Sequence, residues 1–581
     1  MREVDKQSGD ADGVTTRPYD PSPRWLRLAL LATFVVALGF RVWGIKFGLP
    51  YDFTPDEIHE ILRALKLGAG EFNSDNVTKG GLYLLLFVEY GALFAYWWVI
   101  GKVHGATDFA IAYLHDPTAF YLLGRLTVAL MGAMTCLVIF EIGRRTHGWR
   151  VGLAAAVVGA TAHYHGLWSH YVNVDIGMTL AMWCSLLAYM EFERQRRTRW
   201  LVTSGALAGI AIAFKLPGAL VLLPLLLAAA TPWKSRLSLG QLATGILVTG
   251  LTALVLSPGL VHLLGVIPDF FSQLGGASSP GAELGPKSDI QEAIYDITLF
   301  RVGSYYNILR HETYLLLSIA AVLGAAVACY RRHRWAVIWT IMVAAFLGVM
   351  YAADRPGNER YILPVMPAFW LLAASGIADV ARQRGKAIAI GVAIVIVAPL
   401  YALVQTDYTF TRPDTRVMAK QWIEQNVPTG SKILMDGMRY RFIQSPPLMP
   451  NDSTVERSVA HAEVEGADLS RGVSQRQIEL YAKAMKNVSG PRYDIHSTVW
   501  GLEVEDLAYY PSACFDLIVT SSSVSNKFLT VAEQQKYPRS AAFYRDLPTD
   551  PRFEVVYSAA PEPWKIQGPT ITVYKVHHTC R

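Results

Sequence analysis

The segment Thr54-Pro55-Asp56-Glu57-Ile58-His59-Glu60-Ile61-Leu62-Arg63 sets two acids side by side where a helix begins. Thr54 and Glu57 have capping-box spacing, and Pro55 falls at the first helical position. Ile58, Ile61, Leu62 and Leu65 recur on one face, which predicts a short amphipathic helix on the outer surface of a membrane. Acids at a helix start favour its positive end, yet capping needs one carboxylate at most. Adjacent acids also suit a general base beside a binding or metal-ligating group. Asp175, in Tyr171-Val172-Asn173-Val174-Asp175, stands at the outer start of an apolar run. An acid at membrane depth is costly and is a functional candidate for that reason. The competing reading is helix capping by Asn173 or Asp175. His163, His165 and His170 precede it, and with the acids they could ligate a metal or simply be interfacial or core residues. Lys79, Lys215 and Arg360-Tyr361 sit at outer boundaries of apolar runs, where a cation could neutralise a phosphate or snorkel to the interface. Lys215 is the most informative, because it interrupts an apolar run just before Pro217.

The elements that position these residues follow from hydropathy. The chain has 581 residues, 52% hydrophobic and 17% charged, against about 25% charged in soluble domains. That excludes a disordered or collagen-like protein and speaks against an ordinary cytosolic enzyme. A mean hydropathy of +0.26 shows that part of the chain lies outside the membrane. Crossing a bilayer takes about 20 mostly apolar residues. Eleven spans are predicted, near 25–45, 119–142, 150–168, 174–192, 200–215, 217–232, 240–262, 312–330, 335–352, 361–380 and 387–405. Basic clusters mark alternate loops, among them Arg144-Arg145, Arg194 to Arg199, Arg331-Arg332 and Arg382 to Lys386, and the positive-inside rule assigns them to the cytoplasm. The net charge of +6 therefore marks loops and does not imply nucleic acid. The parity closes only if the apolar stretch 81–101 does not cross but dips into the outer leaflet or packs against the bundle; the alternative is a normal span with the topology reversed downstream. The first span has no small-residue cleavage site after it and is expected to stay.

The expected fold class is a mainly α polytopic membrane protein with a C-terminal extracytoplasmic α/β domain. Its parts are a cytoplasmic tail (1–24), a membrane catalytic domain (25–405) with a first outer loop of amphipathic helices (46–118) and an outer lid loop (263–311), and an outer α/β domain (406–581). In the last, 415–426 reads as helix, while 433–435, 516–520, 553–557 and 571–574 read as strands. Cys514 and Cys580 share that oxidising side, where either a disulfide or two thiols fits. Cys136, Cys184 and Cys329 read as small buried hydrophobes.

In this order the residues resemble the GT-C type membrane glycosyltransferases that use polyprenyl-phosphate sugars, the superfamily of protein O-mannosyltransferases and the lipid A aminoarabinose transferase. Pro55-Asp56-Glu57 resembles its first-loop acidic motif. Lys79-Gly80-Gly81-Leu82-Tyr83 resembles its Lys/His-Pro-Pro-Leu-Tyr element, with glycines for prolines. Gly124-Arg125-Leu126 through Gly143-Arg144-Arg145, Asp175, Phe214-Lys215 with Pro217, and Arg360-Tyr361-Ile362-Leu363-Pro364 with Pro367 match further elements. The resemblance implies an inverting transfer on the outer face of a plasma (inner) membrane. Asp56 would take the acceptor hydroxyl proton as polyprenyl phosphate leaves, and Lys79, Lys215 and Arg360 would balance the phosphate charge, with Tyr83 and Tyr361 in the same substrate-binding elements. Glu57 and Asp175 would orient the reactants or, with His170, bind a divalent cation (Mg, Mn or Zn). Thr78 stands where the aminoarabinose transferases carry a Glu, so a metal site like theirs is not carried over. Neither a P-loop nor a Rossmann fingerprint occurs, so no nucleotide cofactor is expected. The acceptor is a lipid, a glycan or a protein. The rival classes are a lipid-linked glycan ligase or polymerase, a transporter, for which internal repeats would be expected, and a membrane-anchored binding protein.

Overall fold

The computed structural model describes residues 24–51, 53–70, 80–230, 237–260, 314–352, 359–437, 444–465, 475–486, 488–499, 504–578 and 580. The expected lid loop, 263–311, and all of the tail, 1–24, but Arg24 lie outside the described residues, as does Lys79.

Fifteen labelled helices build the first part of the described chain. They are α1 (Trp25–Val42), α2 (Pro55–Gly68), α3 (Gly80–Val99), α4 (Ala106–His115), α5 (Thr118–His147), α6 (Trp149–Ala160), α7 (His163–Trp168), α8 (Val174–Gln195), α9 (Thr198–Phe214), α10 (Leu222–Ala230), α11 (Leu239–Leu256), α12 (Leu315–Tyr330), α13 (Arg334–Ala352), α14 (Met366–Val380) and α15 (Gly385–Phe410). Among the described residues six helices are long and apolar enough to cross a membrane: α1, α3, α5, α11, Arg360–Val380 and α15. Shorter apolar helices fall at Trp149–Ala160, Thr198–Phe214, Leu216–Ala230, Leu315–Tyr330 and Arg334–Gly348. The span expected over 150–168 is two helices, α6 and α7, parted at Thr161-Ala162. The run after Lys215 opens as a 3-10 turn, Leu216–Val221, before α10. Pro217 supplies no N–H there and fixes its own φ, which suits a first turn.

Small residues let the helices close up, as expected where lipid gives no hydrophobic drive between them. A Cβ on Gly324 of α12 would lie 1.9 Å from the Leu372 carbonyl oxygen of α14, and one on Gly152 of α6 would lie 2.4 Å from the Phe140 carbonyl oxygen of α5. α14 is buried nearly throughout, with Phe369, Trp370, Leu371 and Leu372 in the largest apolar cluster. At one end of the bundle Arg145 pairs with Glu191 (2.5 Å) and Arg334 with Glu193 (2.7 Å), linking α5 and α13 to α8, while Arg331, just after α12, pairs with Asp379 of α14 (2.6 Å). Asp175 and Arg360 belong to the opposite ends of those helices.

After α15 the chain builds a six-stranded sheet in the order β2-β3-β1-β4-β6-β5. The strands are β1 (Lys432–Gly437), β2 (Met449–Pro450), β3 (Arg492–Val499), β4 (Leu517–Ser521), β5 (Phe553–Ala559) and β6 (Ile571–Val576). β1 runs parallel to β3 and β4, whereas β6 runs antiparallel to β4 and β5, with Ile433 opposite Leu517 and Ile518 opposite Tyr574. Helix α16 (Thr415–Asn426) places Ala419 and Ile423 in a cluster with Ile433, Met435 and Val573 on one face. Leu434, Ile518, Phe543 and Tyr574 build a second cluster on the other. Two further helices, α17 (Asp452–Glu465) and α18 (Gln475–Met485), lie between β2 and β3 in sequence. Cys514, just before β4, is joined by a disulfide to Cys580, just after β6. The sheet region is pinned to the bundle by Trp564 against Tyr401 and Tyr408 (5.8 and 5.6 Å between rings), by Arg416 over the Phe53 ring (3.6 Å) and by His115 Nε2 at 3.0 Å from the Ala484 carbonyl oxygen.

Candidate functional site

Helix ends meet at Asp175: the start of α8, the end of α9 and the 3-10 turn that follows it. Asn173 caps α8, its side-chain oxygen accepting from the N–H groups of Asp175 (3.0 Å) and Ile176 (3.3 Å). The capping duty thus falls to Asn173, and the Asp175 carboxylate, 2% exposed as a residue, is left to accept from Lys215 Nζ at 2.7 Å. Lys215 is extended (φ −165°, ψ 140°) where α9 stops, ahead of the 3-10 turn. Phe214 sets that corner against α8: a Cβ on Gly177 would lie 2.4 Å from its ring. The Lys215 ammonium also sits 4.6 Å from the Tyr361 ring centroid, and the Arg360 guanidinium lies 5.6 Å from the Trp168 ring and 6.0 Å from the Tyr361 ring. These are cation–π distances. The 3-10 segment Glu359–Val365 carries Arg360 and Tyr361, and Trp183 of α8 fixes it by donating from Nε1 to the Pro364 carbonyl (3.0 Å).

The start of α3 abuts the same corner. Gly80 donates its N–H to Ser257 Oγ (2.8 Å), which in turn donates to the Ala213 carbonyl (3.2 Å). A Cβ on Gly80 would lie 1.6 Å from the Leu256 carbonyl oxygen, and one on Gly81 2.8 Å from the Phe214 backbone nitrogen. Glycine at both positions is what lets the backbones come this close. Tyr83 is buried in the apolar cluster that holds Ile58, Ile61 and Leu86, where α2 packs on α3. The apolar face predicted for α2 therefore covers protein as well as pointing away from water.

Glu57 and Asp56 hold neighbouring positions in the first turn of α2. The Asp56 side chain lies outside the described atoms. Glu57 is fully buried and accepts two hydrogen bonds from Arg125, from Nε and Nη2, each 2.8 Å, and a third from the Val172 N–H at 2.9 Å. Arg125 also donates to the Ile45 and Phe47 carbonyls (2.7 and 2.9 Å) and covers the Phe47 ring at 3.9 Å. The capping box read from the sequence is corrected here: Thr54 is at the N-cap without a side-chain hydrogen bond, because Glu57 turns to Arg125 instead. Arg125 is a positioning residue, which sequence reasoning named only as part of Gly124-Arg125-Leu126 and gave no role. A lone arginine in an apolar span needs a buried acid, and that need was the available signal.

The ligand set read for a divalent cation, Glu57, Asp175 and His170, is not assembled. Glu57 is taken by Arg125 and Asp175 by Lys215. His170 is buried, with its ring nitrogens 3.0 Å from the Gly166 carbonyl oxygen and 3.1 Å from that of Trp43, and it faces Asp407 at 3.5 Å. His165 meets Arg41 (3.0 Å), and His163 lies between Thr406 (2.9 Å) and Tyr314 (3.0 Å). The three histidines thus tie α7 to its neighbours. Among the described residues no group of three or more His, Cys, Asp or Glu side chains is placed to hold a metal ion.

Residues 121–262 match the family described as dolichyl-phosphate-mannose-protein mannosyltransferase. Among solved structures the chain is similar to ArnT from Cupriavidus metallidurans in the apo state, with 16% identity, 94% of this chain and 97% of that one covered, and a TM-score of 0.48. For the same protein bound to undecaprenyl phosphate the figures are 14%, 94%, 98% and 0.44. For the oligosaccharyltransferase AglB from Archaeoglobus fulgidus, in complex with an inhibitory peptide and a dolichol-phosphate, they are 14%, 93%, 74% and 0.43. No curated protein matches the chain. By its motifs and by the family match, which falls on the stretch holding Arg125, Asp175 and Lys215, the chain resembles the GT-C type glycosyltransferases that use polyprenyl-phosphate sugars.

Proposed function

We propose that the protein is a membrane glycosyltransferase that moves a sugar from a polyprenyl-phosphate carrier to an acceptor hydroxyl on the outer face of the membrane, with inversion. The observation that carries this reading is the Lys215–Asp175 pair, flanked by Tyr361 and Arg360 and set at the ends of apolar helices. A cation at this depth is held ready rather than solvated, which suits a phosphate that arrives from the bilayer on a lipid tail. The family match over the same stretch supports it.

Asp56 acts as the base. The acceptor oxygen forms its bond to the anomeric carbon, its proton passes to the Asp56 carboxylate, and the electron pair of the breaking carbon–oxygen bond leaves with the polyprenyl phosphate. Lys215, with Lys79 and Arg360, balances the charge that grows on that phosphate, an electrostatic role that is often the largest single contribution to a rate. Asp175 holds the Lys215 ammonium in place. Glu57 fixes the turn that carries Asp56 by its bonds to Arg125. The described residues do not fit a bound divalent cation, and no step is routed through one.

The topology that accompanies this reading has the N-terminus in the cytoplasm, eleven crossings, α3 packed without crossing, and an outer C-terminal α/β domain over residues 406–581. Accessibility tagging at positions 106 and 147 tests it, since only 106 should label from outside. The reaction is tested by offering labelled polyprenyl-phosphate sugars to membranes that carry Lys215 and Asp175 variants. Transfer that survives unchanged would remove the site assignment.

A further inference from the structure

Two populations of basic residues share the end of the bundle that carries the Arg145–Glu191 pair. In the first, each guanidinium has a carboxylate: Glu141 serves Arg144 and Arg145, Glu191 serves Arg194 as well as Arg145, Glu193 serves Arg334, and Asp379 serves Arg331. The second has none. Arg24 and Arg27 at the start of α1, Arg150 at the start of α6, and Arg384 and Lys386 at the start of α15 are all exposed. Among the described residues none of the five is paired with an acid. The sequence leaves them no carboxylate nearby: 24–51, 142–174 and 380–406 contain no Asp or Glu. The acids that flank those stretches, Glu141 and Asp379, are already taken.

The five cations belong to one patch, with the start of α6 at its centre. Trp149 meets Trp25 of α1 edge to face, 5.2 Å between ring centroids, and Leu26 packs beside them. On the other side Arg150 Nε lies 3.8 Å from where a Cβ on Gly385 of α15 would be, and the Arg150 guanidinium sits 5.0 Å from the Trp149 ring. Three helices therefore begin side by side. A cation in the first turn of a helix is at the unfavourable end of its dipole, and like charges gathered in one patch repel. The positive-inside rule explains why this end is basic. It does not explain why five cations converge where no acid can reach them, and an external anion would relieve both costs.

Apolar surface runs inward from the cations. Leu28, Leu31 and Val35 are exposed at helical spacing along α1, and Ile390, Ile394 and Val397 along α15. Each run, from Arg24 to Val35 and from Lys386 to Val397, is about 16 Å long at 1.5 Å per residue. That is about half of a hydrocarbon core of about 30 Å, the depth of one leaflet. Trp25 and Trp149 stand level with the cations, and indole rings favour the boundary between head groups and acyl chains. Charge at the boundary with one leaflet's depth of apolar surface beneath it matches a phospholipid rather than a free phosphate. Five cations exceed the single charge of one phosphodiester and match two.

We propose that α1, α6 and α15 together hold an anionic phospholipid with two phosphodiesters in its head group, of the cardiolipin type. Arg150 is its central head-group contact, and its acyl chains lie along the exposed stripes of α1 and α15. The seat goes beyond the transfer reading and needs only that the bundle spans a membrane. The topology given above makes the leaflet the cytoplasmic one.

The test titrates the full-length protein in detergent with cardiolipin, phosphatidylglycerol or phosphatidylcholine at equal phosphate, and counts bound lipid by native mass spectrometry. The substituted protein is Arg150→Gln with Arg384→Gln and Lys386→Gln. The control, Arg196→Gln with Arg197→Gln and Arg199→Gln, removes the same charge from another exposed arginine cluster. Arg150→Gln alone repeats the measurement with a single exposed side chain changed, in case the triple variant folds poorly. At about fivefold per basic side chain near a charged surface, Arg150→Gln is expected to weaken cardiolipin binding about fivefold and the triple variant about a hundredfold. The control should bind cardiolipin like the wild type, and the wild type should favour cardiolipin over phosphatidylglycerol and both over phosphatidylcholine. Equal binding of the three lipids, an equal loss in both triple variants, or unchanged binding in Arg150→Gln would overturn the proposal. Displacement of cardiolipin by millimolar inorganic pyrophosphate would also overturn it, by making the patch a site for free phosphate.

Discussion

Lys215 and Asp175 form an ion pair at 2.7 Å, with the acid 2% exposed as a side chain and the lysine 14%. Neither is at the surface, so the pair is not an ordinary solvent-screened bridge. Each partner keeps the other in place, and an arriving lipid phosphate adds negative charge where the lysine is already aimed. Lys215→Ala is expected to lower the transfer rate by about a hundredfold or more, the range seen when one preorganised charge-stabilising group is removed. Lys215→Arg should recover part of the rate, because a charge is kept but its shape differs. Initial rates with a labelled donor check both.

Glu57 and Asp56 should separate cleanly although they adjoin. Removing one partner of a buried, fully bonded ion pair costs about 3–5 kcal/mol, and Glu57 with Arg125 is such a pair. Glu57→Ala and Arg125→Ala are therefore expected to lower the melting temperature and the yield of folded protein. Asp56→Ala should melt like the wild type and fail only in transfer. Scanning fluorimetry in detergent alongside the transfer assay distinguishes a positioning residue from a base.

Gly80 is intolerant for a reason that can be stated in ångströms. An added Cβ would meet a backbone carbonyl oxygen at 1.6 Å, and backbone cannot swing aside as a side-chain tip can. Gly80→Ala is expected to cost about 3 kcal/mol through overpacking and to lower donor retention by moving α3 off the Lys215 corner. Gly91→Ala on the same helix should be silent in stability. Melting temperatures of the two variants make the comparison.

In the sheet region Asp494 accepts from Arg457 and lies 3.5 Å from His496. Burial works against the Asp494 charge, but the hydrogen bond and charge of Arg457 outweigh it and hold the carboxyl below its usual range. Burial, then the Arg457 charge, push His496 below the usual histidine value. Both groups bind protons less readily when folded than when unfolded. Their stabilisation is therefore complete above the ordinary histidine pKa of about 6.5 and is lost as pH falls through the folded values, first His496 and then Asp494. The melting temperature of the full-length protein should drop between pH 7 and pH 5, and His496→Gln should flatten that drop.

Much of this was legible in the residues, and the parts that were not have physical reasons. Period and length located the apolar helices, because a bilayer demands them of the sequence. The break at Thr161-Ala162 was invisible, since hydropathy does not register where a helix stops inside an apolar run. Lys215 stood out because it interrupts an apolar run, but its partner could not be named, because Asp175 lies 40 residues away and only the fold closes that distance. Glu57 misled for the opposite reason. Its local spacing fits a capping box, and a long-range arginine outcompetes the local bond. The histidines before Asp175 look like ligands by type, yet the turns of α7 aim them at the carbonyls and at Arg41, Thr406 and Tyr314 instead.

The central claim is transfer from a lipid-linked phosphate with Asp56 as the base and Asp175 holding the cation. Membranes carrying the wild type, Asp56→Ala or Asp175→Ala, each at matched amounts of folded protein, are given tritiated mannosyl, glucosyl and aminoarabinosyl polyprenyl phosphates. Transfer of label to membrane acceptors is then counted. The wild type is expected to transfer label from at least one donor, and both variants to fall by about a hundredfold or more. Equal transfer by all three proteins would contradict the account.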